Sequence, residues 1–256
     1  MQSVKRSIIL TVIFLLCISG ISKSEETGIY MIPVFNYVTG KFDPARHPRF
    51  INLDKTDIPV SRKGQYLRKE TAESLSLMLK NFRKEHPGIK ISVISATRNF
   101  NSQKRIWEEK WTGKRKITGI SSINLINDPL KKGELILQYS SMPGTSRHHW
   151  GTDFDINSLN NEYYGKGDGK IIYQWLLKNA SKYGFYQPYT ADRDTGYKEE
   201  KWHWSYLPLS KQFLKDWNTL YRNMQSEFWT ELSFRGVEHV GHLAPVYVNS
   251  INSECR

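Results

Sequence analysis

The stretch S-R-H-H-W-G-T-D-F-D at residues 146–155 is the most informative part of this chain of 256 residues for its fold and chemistry. It places two neighbouring histidines ahead of two aspartates that are separated by one residue. A second stretch, E-K-W-H-W at residues 200–204, adds another histidine and a glutamate three residues before it. Together these residue types match a catalytic zinc site, which has three protein ligands, one open position and a nearby carboxylate base.

Strand geometry sharpens the first stretch. Residues 152–156 are predicted to form a short strand, in which side chains two positions apart face the same way. Asp153 and Asp155 would therefore point from one face, while the residue between them points into the core. Gly151 allows the backbone to bend and to bring His148 towards these carboxylates.

The second stretch is predicted to lie at the start of a strand over residues 201–206. Trp202 and Trp204 would share one face and His203 would take the other, so two buried indoles would hold the imidazole rigidly, as a metal ligand requires. Glu200 is close to His203 but is not needed as a ligand. It could take a proton from water at the metal and return it to the leaving group.

The remaining segments predict an α+β domain, with a small antiparallel sheet and flanking helices. Helices and strands do not alternate as regular βαβ units. A strand is expected at 89–93, and helices are expected at 70–85, 128–139 and 167–183. A further helix is expected to carry Ile106, Trp107 and Trp111, and a last helix to be capped by Ser210.

The residue pattern at the N-terminus indicates that the protein is exported. Lys5 and Arg6 precede an apolar run at residues 8–18, and small residues follow at Ser22 and Ser24. This order is typical of a secretory signal peptide, here residues 1–24, and predicts a location in the periplasm or cell envelope. The apolar run is short for a membrane span. An uncleaved signal segment is the only membrane contact that we expect.

The formal net charge of +12 favours negatively charged binding partners. Removal of the predicted signal deletes three cations and no acid, which leaves +9. Such a charge suits a polyanionic cell envelope or nucleic acid. The Lys and Arg residues are scattered and no nucleic-acid-binding signature accompanies them, so we expect no nucleic-acid partner. Cys17 lies in the signal, and Cys255 alone cannot form an internal disulfide.

The two stretches resemble a known family. The pattern Ser146-x-His148-x-x-Gly151-x-x-x-Asp155, followed by Glu200-x-Trp202-His203, is similar to the VanY-type D-alanyl-D-alanine carboxypeptidases, which belong to the lysostaphin, D-Ala-D-Ala peptidase and hedgehog group of zinc peptidases. The segment from Ser95 to Gln103 and the Pro143-Gly144 lead-in are similar as well. The resemblance covers roughly residues 70–210 and implies the hedgehog-like fold of that group.

Carried over residue by residue, the resemblance implies the following site. Zn²⁺ would be the cofactor, with ligands His148, Asp155 and His203, and Glu200 would be the catalytic base. The substrate-binding residues would be Arg98, Gln103 and Ser146. The family usually has Ala where this chain has Asp153. That extra carboxylate could support a histidine ligand or compete with Asp155, and His149 could compete with His148.

The resemblance predicts a D,D-carboxypeptidase that removes the terminal D-Ala from peptidoglycan stem peptides and acts as a monomer. An L,D-carboxypeptidase, a dipeptidase or an endopeptidase would use the same chemistry, and a wall-binding module of the same fold would use none. The chain divides into a signal peptide, an N-terminal arm, a zinc peptidase domain and a C-terminal helix with its tail, at residues 1–24, 25–68, 69–210 and 211–256.

Overall fold

The computed structural model describes residues 28–117 and 119–256, so the predicted signal peptide lies outside the described residues. Two antiparallel sheets are present in this part. In the smaller one, β1 (Phe50–Asn52) pairs with β2 (Tyr66–Arg68). The larger has the order β3-β4-β6-β5. Its strands are β3 (Val93–Ser95), β4 (Asp153–Ile156), β5 (Phe185–Tyr186) and β6 (His203–Tyr206).

Helices surround these sheets and confirm the predicted α+β class. Those in residues 28–117 are α1 (Val34–Val38), α2 (Lys69–Glu85) and α3 (Phe100–Trp111). Those in residues 119–256 are α4 (Pro129–Leu137), α5 (Gly167–Asn179), α6 (Leu207–Met224), α7 (Ser226–Thr230), α8 (Val237–Val240) and α9 (Ala244–Asn249). None of the helices described here combines the length and the apolar composition that crossing a bilayer requires.

The hydrophobic core consists of two clusters. One joins α2 and α5 to the larger sheet and includes Phe82, Phe154 and Trp204. The other joins the N-terminal segment and α3 to α6 and the segments after it, around Trp150 and Trp217. The 146–155 stretch contributes Trp150 to one cluster and Phe154 to the other. The polar residues of this stretch are therefore fixed in position by two buried aromatic side chains, Trp150 and Phe154.

Three local expectations are wrong. Ser210 does not cap a helix, because α6 already begins at Leu207 with a proline in its first turn. The Ser210 hydroxyl instead lies 3.1 Å from Ser205 Oγ and can donate to it, because the Ser205 proton is donated to Asp153. Nor is α6 the last helix, because α7, α8 and α9 follow it. The strand predicted at 89–93 forms at Val93–Ser95, where it can pair with β4.

Position 151 requires glycine for two reasons, its backbone conformation and the side chains packed around it. Its φ is +73°, and a Cβ there would lie 2.4 Å from the Phe50 ring. Gly64 has φ +76°, but a Cβ added there would meet no heavy atom within 4 Å. Positive φ costs a residue with a Cβ about 1–2 kcal/mol, and overpacking of a core adds about 1–3 kcal/mol.

We therefore expect Gly151→Ala to lower the free energy of unfolding by about 2–5 kcal/mol, the sum of both penalties. Gly64→Ala is the matched control, since it carries only the backbone penalty of about 1–2 kcal/mol. Urea denaturation measures both variants. Equal losses would show that the Phe50 ring moves aside without cost.

Candidate metal centre

Three side chains that the sequence singles out converge. Ligand atoms of His148, Asp155 and His203 all lie within 4.8 Å of one another, and all three residues are buried. Antiparallel pairing of β4 with β6 sets Asp155 opposite His203. His148 comes from a single 3-10 turn, Arg147–Trp150, which ends two residues before β4. Asp155 lies 3.3 Å from His148 Nε2 and 3.1 Å from His203 Nδ1.

Hydrogen bonds on the far side of each ring orient both imidazoles. His148 Nδ1 lies 2.8 Å from the Ala96 carbonyl oxygen, which can only accept, so Nδ1 donates. His203 Nε2 lies 2.9 Å from a carboxylate oxygen of Asp153 and donates to it. In the neutral rings, the remaining nitrogens therefore direct their lone pairs at the Asp155 carboxylate.

This arrangement favours positive charge at its centre, which a proton on His203 or a bound metal ion can supply. His148 Nε2 and Asp155 Oδ1 are buried and have no hydrogen-bond partner within residues 28–117 and 119–256. A carboxylate that faces two imidazole lone pairs is unfavourable unless positive charge lies between them. Burial lowers the pKa of His203, but the Asp153 and Asp155 carboxylates outweigh it and raise that pKa to about 9. Two nitrogens and one carboxylate oxygen also form a suitable donor set for a divalent metal.

Glu200 lies beside the cluster rather than in it. Its Oε2 is 3.5 Å from His203 Nδ1. Burial, together with the negative charge of Asp155, raises the pKa of Glu200 to about 7 against the opposing effect of His203 and Arg98. A carboxyl group with this pKa can both accept and donate a proton near neutral pH.

Of the three predicted substrate-binding residues, Arg98 and Gln103 line the cavity beside the ligands and Ser146 does not. Arg98 Nη1 lies 3.7 Å from Asp155 Oδ2 and donates to Ser95 Oγ. Gln103 lines the same cavity and donates to the Ser141 carbonyl oxygen over 2.7 Å. Ser146 is fully buried and does not line that cavity, and its hydroxyl has no hydrogen-bond partner in the described part of the chain.

His149 lies away from the three converging ligands. Its Nδ1 donates to the Arg98 carbonyl oxygen over 2.6 Å, and its Nε2 accepts from the Gly144 amide over 3.1 Å. Burial lowers the pKa of His149 to about 3, so the ring is neutral. Both nitrogens are used to hold the backbone on either side of the site.

Asp153 supports the site through a buried network. One carboxylate oxygen accepts from His203 and from Arg147 Nε, each over 2.9 Å. The other accepts from the hydroxyls of Thr152 and Ser205 over 2.7 and 2.8 Å. Burial raises the pKa of Asp153, but Arg147 and His203 outweigh it and hold it well below its usual value. Asp153 thus remains charged and fixes the His203 ring.

Comparison with known proteins identifies the family. Residues 64–209 match the family model described as VanY: D-alanyl-D-alanine carboxypeptidase. The chain belongs to this family. The match confirms the resemblance drawn from the two sequence stretches and places the protein in a family of enzymes.

Relatives of the VanY-family chain include two curated bacterial proteins. The Bacillus subtilis (strain 168) protein named "Putative carboxypeptidase YodJ" is 30% identical over 152 residues, which cover 56% of this chain and 47% of the relative. A D-alanyl-D-alanine carboxypeptidase of Enterococcus faecalis (strain ATCC 700802 / V583) is 30% identical over 124 residues, which cover 48% and 42%. The matched region thus spans about half the length of these relatives.

A solved structure of the LdcB LD-carboxypeptidase is also similar. It is 23% identical, with a TM-score of 0.49, and the match covers 76% of this chain and 82% of that chain.

Sequence reasoning missed several residues around the VanY-family site. The site opens into a cavity of about 560 Å³, whose lining includes Lys110, Tyr189 and Tyr197. The Tyr189 ring packs against His203, with centroids 4.7 Å apart. These residues lie at a helix end and in loops, where periodicity carries no information. The ion pair between Arg147 and Asp153 could have been predicted from the sequence, because these two opposite charges flank a predicted turn within residues 146–155.

Proposed function

We propose that the protein is a zinc-dependent D,D-carboxypeptidase that removes the terminal D-Ala from peptidoglycan stem peptides. The main support is the convergence of His148, Asp155 and His203 within 4.8 Å, with the Glu200 carboxylate beside it. Two imidazole nitrogens and one carboxylate oxygen favour zinc over magnesium or calcium, which prefer oxygen ligands. Membership of the VanY family supports the choice of substrate.

Each neighbouring residue has a role in peptide hydrolysis. Bound zinc would polarise the scissile carbonyl and lower the pKa of water. Glu200 accepts the proton of the attacking water and returns it to the leaving amine. Arg98, whose guanidinium group lies 3.7 Å from Asp155, would stabilise the negative charge that develops on the carbonyl oxygen. Gln103 lines the same cavity and offers polar contacts to the peptide.

Mass spectrometry of defined peptides tests this proposal. Stem pentapeptide and tetrapeptide are incubated with the zinc-loaded and the chelator-treated protein. The proposal predicts loss of one alanine from the pentapeptide only, and no loss after chelation. Alanine release from the tetrapeptide would instead favour L,D-carboxypeptidase activity, and release of a dipeptide would favour a dipeptidase. Binding of wall fragments without any cleavage would favour a non-catalytic module.

Zinc is also expected to stabilise the fold. A ligand that binds only the native state at 100 times its Kd adds about 2.7 kcal/mol to the free energy of unfolding. Addition of zinc to the metal-free protein should therefore raise its melting temperature. His148→Ala should abolish this increase, whereas His242→Ala, at an exposed position away from the site, should retain it. Equal increases in both variants would place zinc elsewhere.

We propose in addition that the protein acts outside the cytoplasm, in the periplasm or cell envelope. The support is the basic and apolar order of residues 5–18 and the small residues that follow. Fractionation of cells that express the full chain tests this, and a cytoplasmic, full-length product would contradict it.

A further inference from the structure

The cavity beside the metal centre has a basic wall. Lys110 at the end of α3 and Arg115 and Lys116 in the segment after it line the side formed by that helix. Lys110 is half-buried, and its ammonium group donates a hydrogen bond of 2.5 Å to Ser140 Oγ. Arg115 and Lys116 are exposed at the cavity edge.

Unlike Arg115 and Lys104, Lys110 has no acidic partner in the described residues. Arg115 lies 2.8 Å from Glu109, and Lys104 on the same helix lies 3.6 Å from Glu108. Within the parts of the chain that the structure describes, no carboxylate lies within 4.0 Å of Lys110 Nζ. A partly buried ammonium group that contacts only a neutral hydroxyl is unfavourable, and an incoming anion would stabilise it.

The electrostatic surroundings agree with this. Burial, together with the cations Arg115 and Arg98, lowers the pKa of Lys110 to about 8. Glu200 acts in the opposite direction. Lys110 thus remains largely charged at neutral pH, although its surroundings disfavour the charge.

Helix geometry places Lys110 away from the reacting bond. The start of α3 lies near the metal centre, because Arg98, which precedes the helix, approaches Asp155 to 3.7 Å. Gln103 and Lys110 are seven residues, or two turns, apart and share one face, which separates them by about 10 Å along the axis. An extended peptide advances about 3.3 Å per residue. The anion at Lys110 would therefore lie about three residues from the cleaved bond.

We propose that Lys110, held by Ser140 and flanked by Arg115, binds a second carboxylate of the substrate, separate from the one at its cleaved end. This inference rests on the proposed function and narrows its substrate class. The preferred substrates would be wall peptides that carry a free carboxylate, rather than an amide, at an internal residue. Two positions of a stem pentapeptide can supply it: the α-carboxylate of the second residue and the side-chain carboxylate of a dicarboxylic third residue.

Three synthetic pentapeptides ending in D-Ala-D-Ala test the inference and distinguish these sources. One has both internal carboxylates free, the second is amidated at residue two, and the third is amidated at residue three. A hydrogen bond to a charged group contributes about 1.5–3 kcal/mol. We therefore expect one amidation to raise KM for the wild-type protein about 10–100-fold with little change in kcat.

Variants at Lys110 connect this preference to the residue. Lys110→Met should remove the difference between the peptides, and Lys110→Arg should restore most of it. Lys114→Met is the matched control, because Lys114 is exposed on the same segment and does not line the cavity; it should keep the full preference.

The possible failures are distinguishable. Equal KM values for all three peptides with the wild-type protein, or a full preference in Lys110→Met, would overturn the inference and leave the carboxypeptidase proposal standing. Failure of the zinc-loaded wild-type protein to cleave any of the peptides would overturn the proposed function and the inference with it.

Discussion

Glu200→Gln is expected to lower kcat/KM for the stem pentapeptide by about 10²–10⁴-fold, the usual contribution of a general acid–base residue. The Glu200 carboxyl lies 3.5 Å from His203 Nδ1, and burial raises its pKa to about 7. Glutamine keeps the shape of the side chain but cannot accept the proton of the attacking water. The measurement is alanine release from the pentapeptide, with the zinc content determined on the same sample.

The zinc content separates the two possible roles of Glu200. Because Asp155 rather than Glu200 converges with the two histidines, the variant should retain the metal. Glu199→Gln is the matched control, since Glu199 is the adjacent residue and pairs with Lys201 instead of facing the site. Loss of zinc from Glu200→Gln would make this residue a ligand. Unchanged alanine release would exclude it as the base.

Asp153→Ala is expected to have the largest effect on stability, a loss of about 3–5 kcal/mol in the free energy of unfolding. Asp153 has no exposed surface, and its partner Arg147 is 1% exposed. Removal of the carboxylate leaves the guanidinium group as an uncompensated charge in the core. It also removes the hydrogen-bond acceptor of His203 Nε2, so zinc affinity should fall about 10–100-fold.

Urea denaturation and a zinc competition titration measure these two effects. Asp57→Asn is the matched control for stability, because Asp57 forms a similar pair with Arg83 on the surface, where such pairs contribute about 0–1 kcal/mol. In the double variant Arg147→Met with Asp153→Ala, part of the lost stability should return, since the buried charge is gone. A loss below about 1 kcal/mol in Asp153→Ala would contradict this account.

The sequence alone predicted the fold class and the residue types of the site. The alternation of side-chain direction along the strand predicted at residues 152–156 correctly placed Phe154 in the core. It also put Asp153 and Asp155 on one side of the strand, where both contact His203. These predictions succeeded because side-chain direction in a strand depends only on position along the chain. The ligand roles of His148, Asp155 and His203 and the catalytic role of Glu200 stay predictions until metal binding and hydrolysis are measured.

Only the tertiary structure separated residues that the chain pattern treats alike. Asp153 and Asp155 point from the same side of the strand, yet one contacts Arg147 and the other contacts His148, because different residues pack over this side at the two positions along the strand. His149 is occupied by backbone groups far from it in sequence. The approach of Lys110 to Ser140 likewise joins segments thirty residues apart. Such contacts depend on how helices and strands pack together, and this packing is not encoded in the spacing of any single stretch.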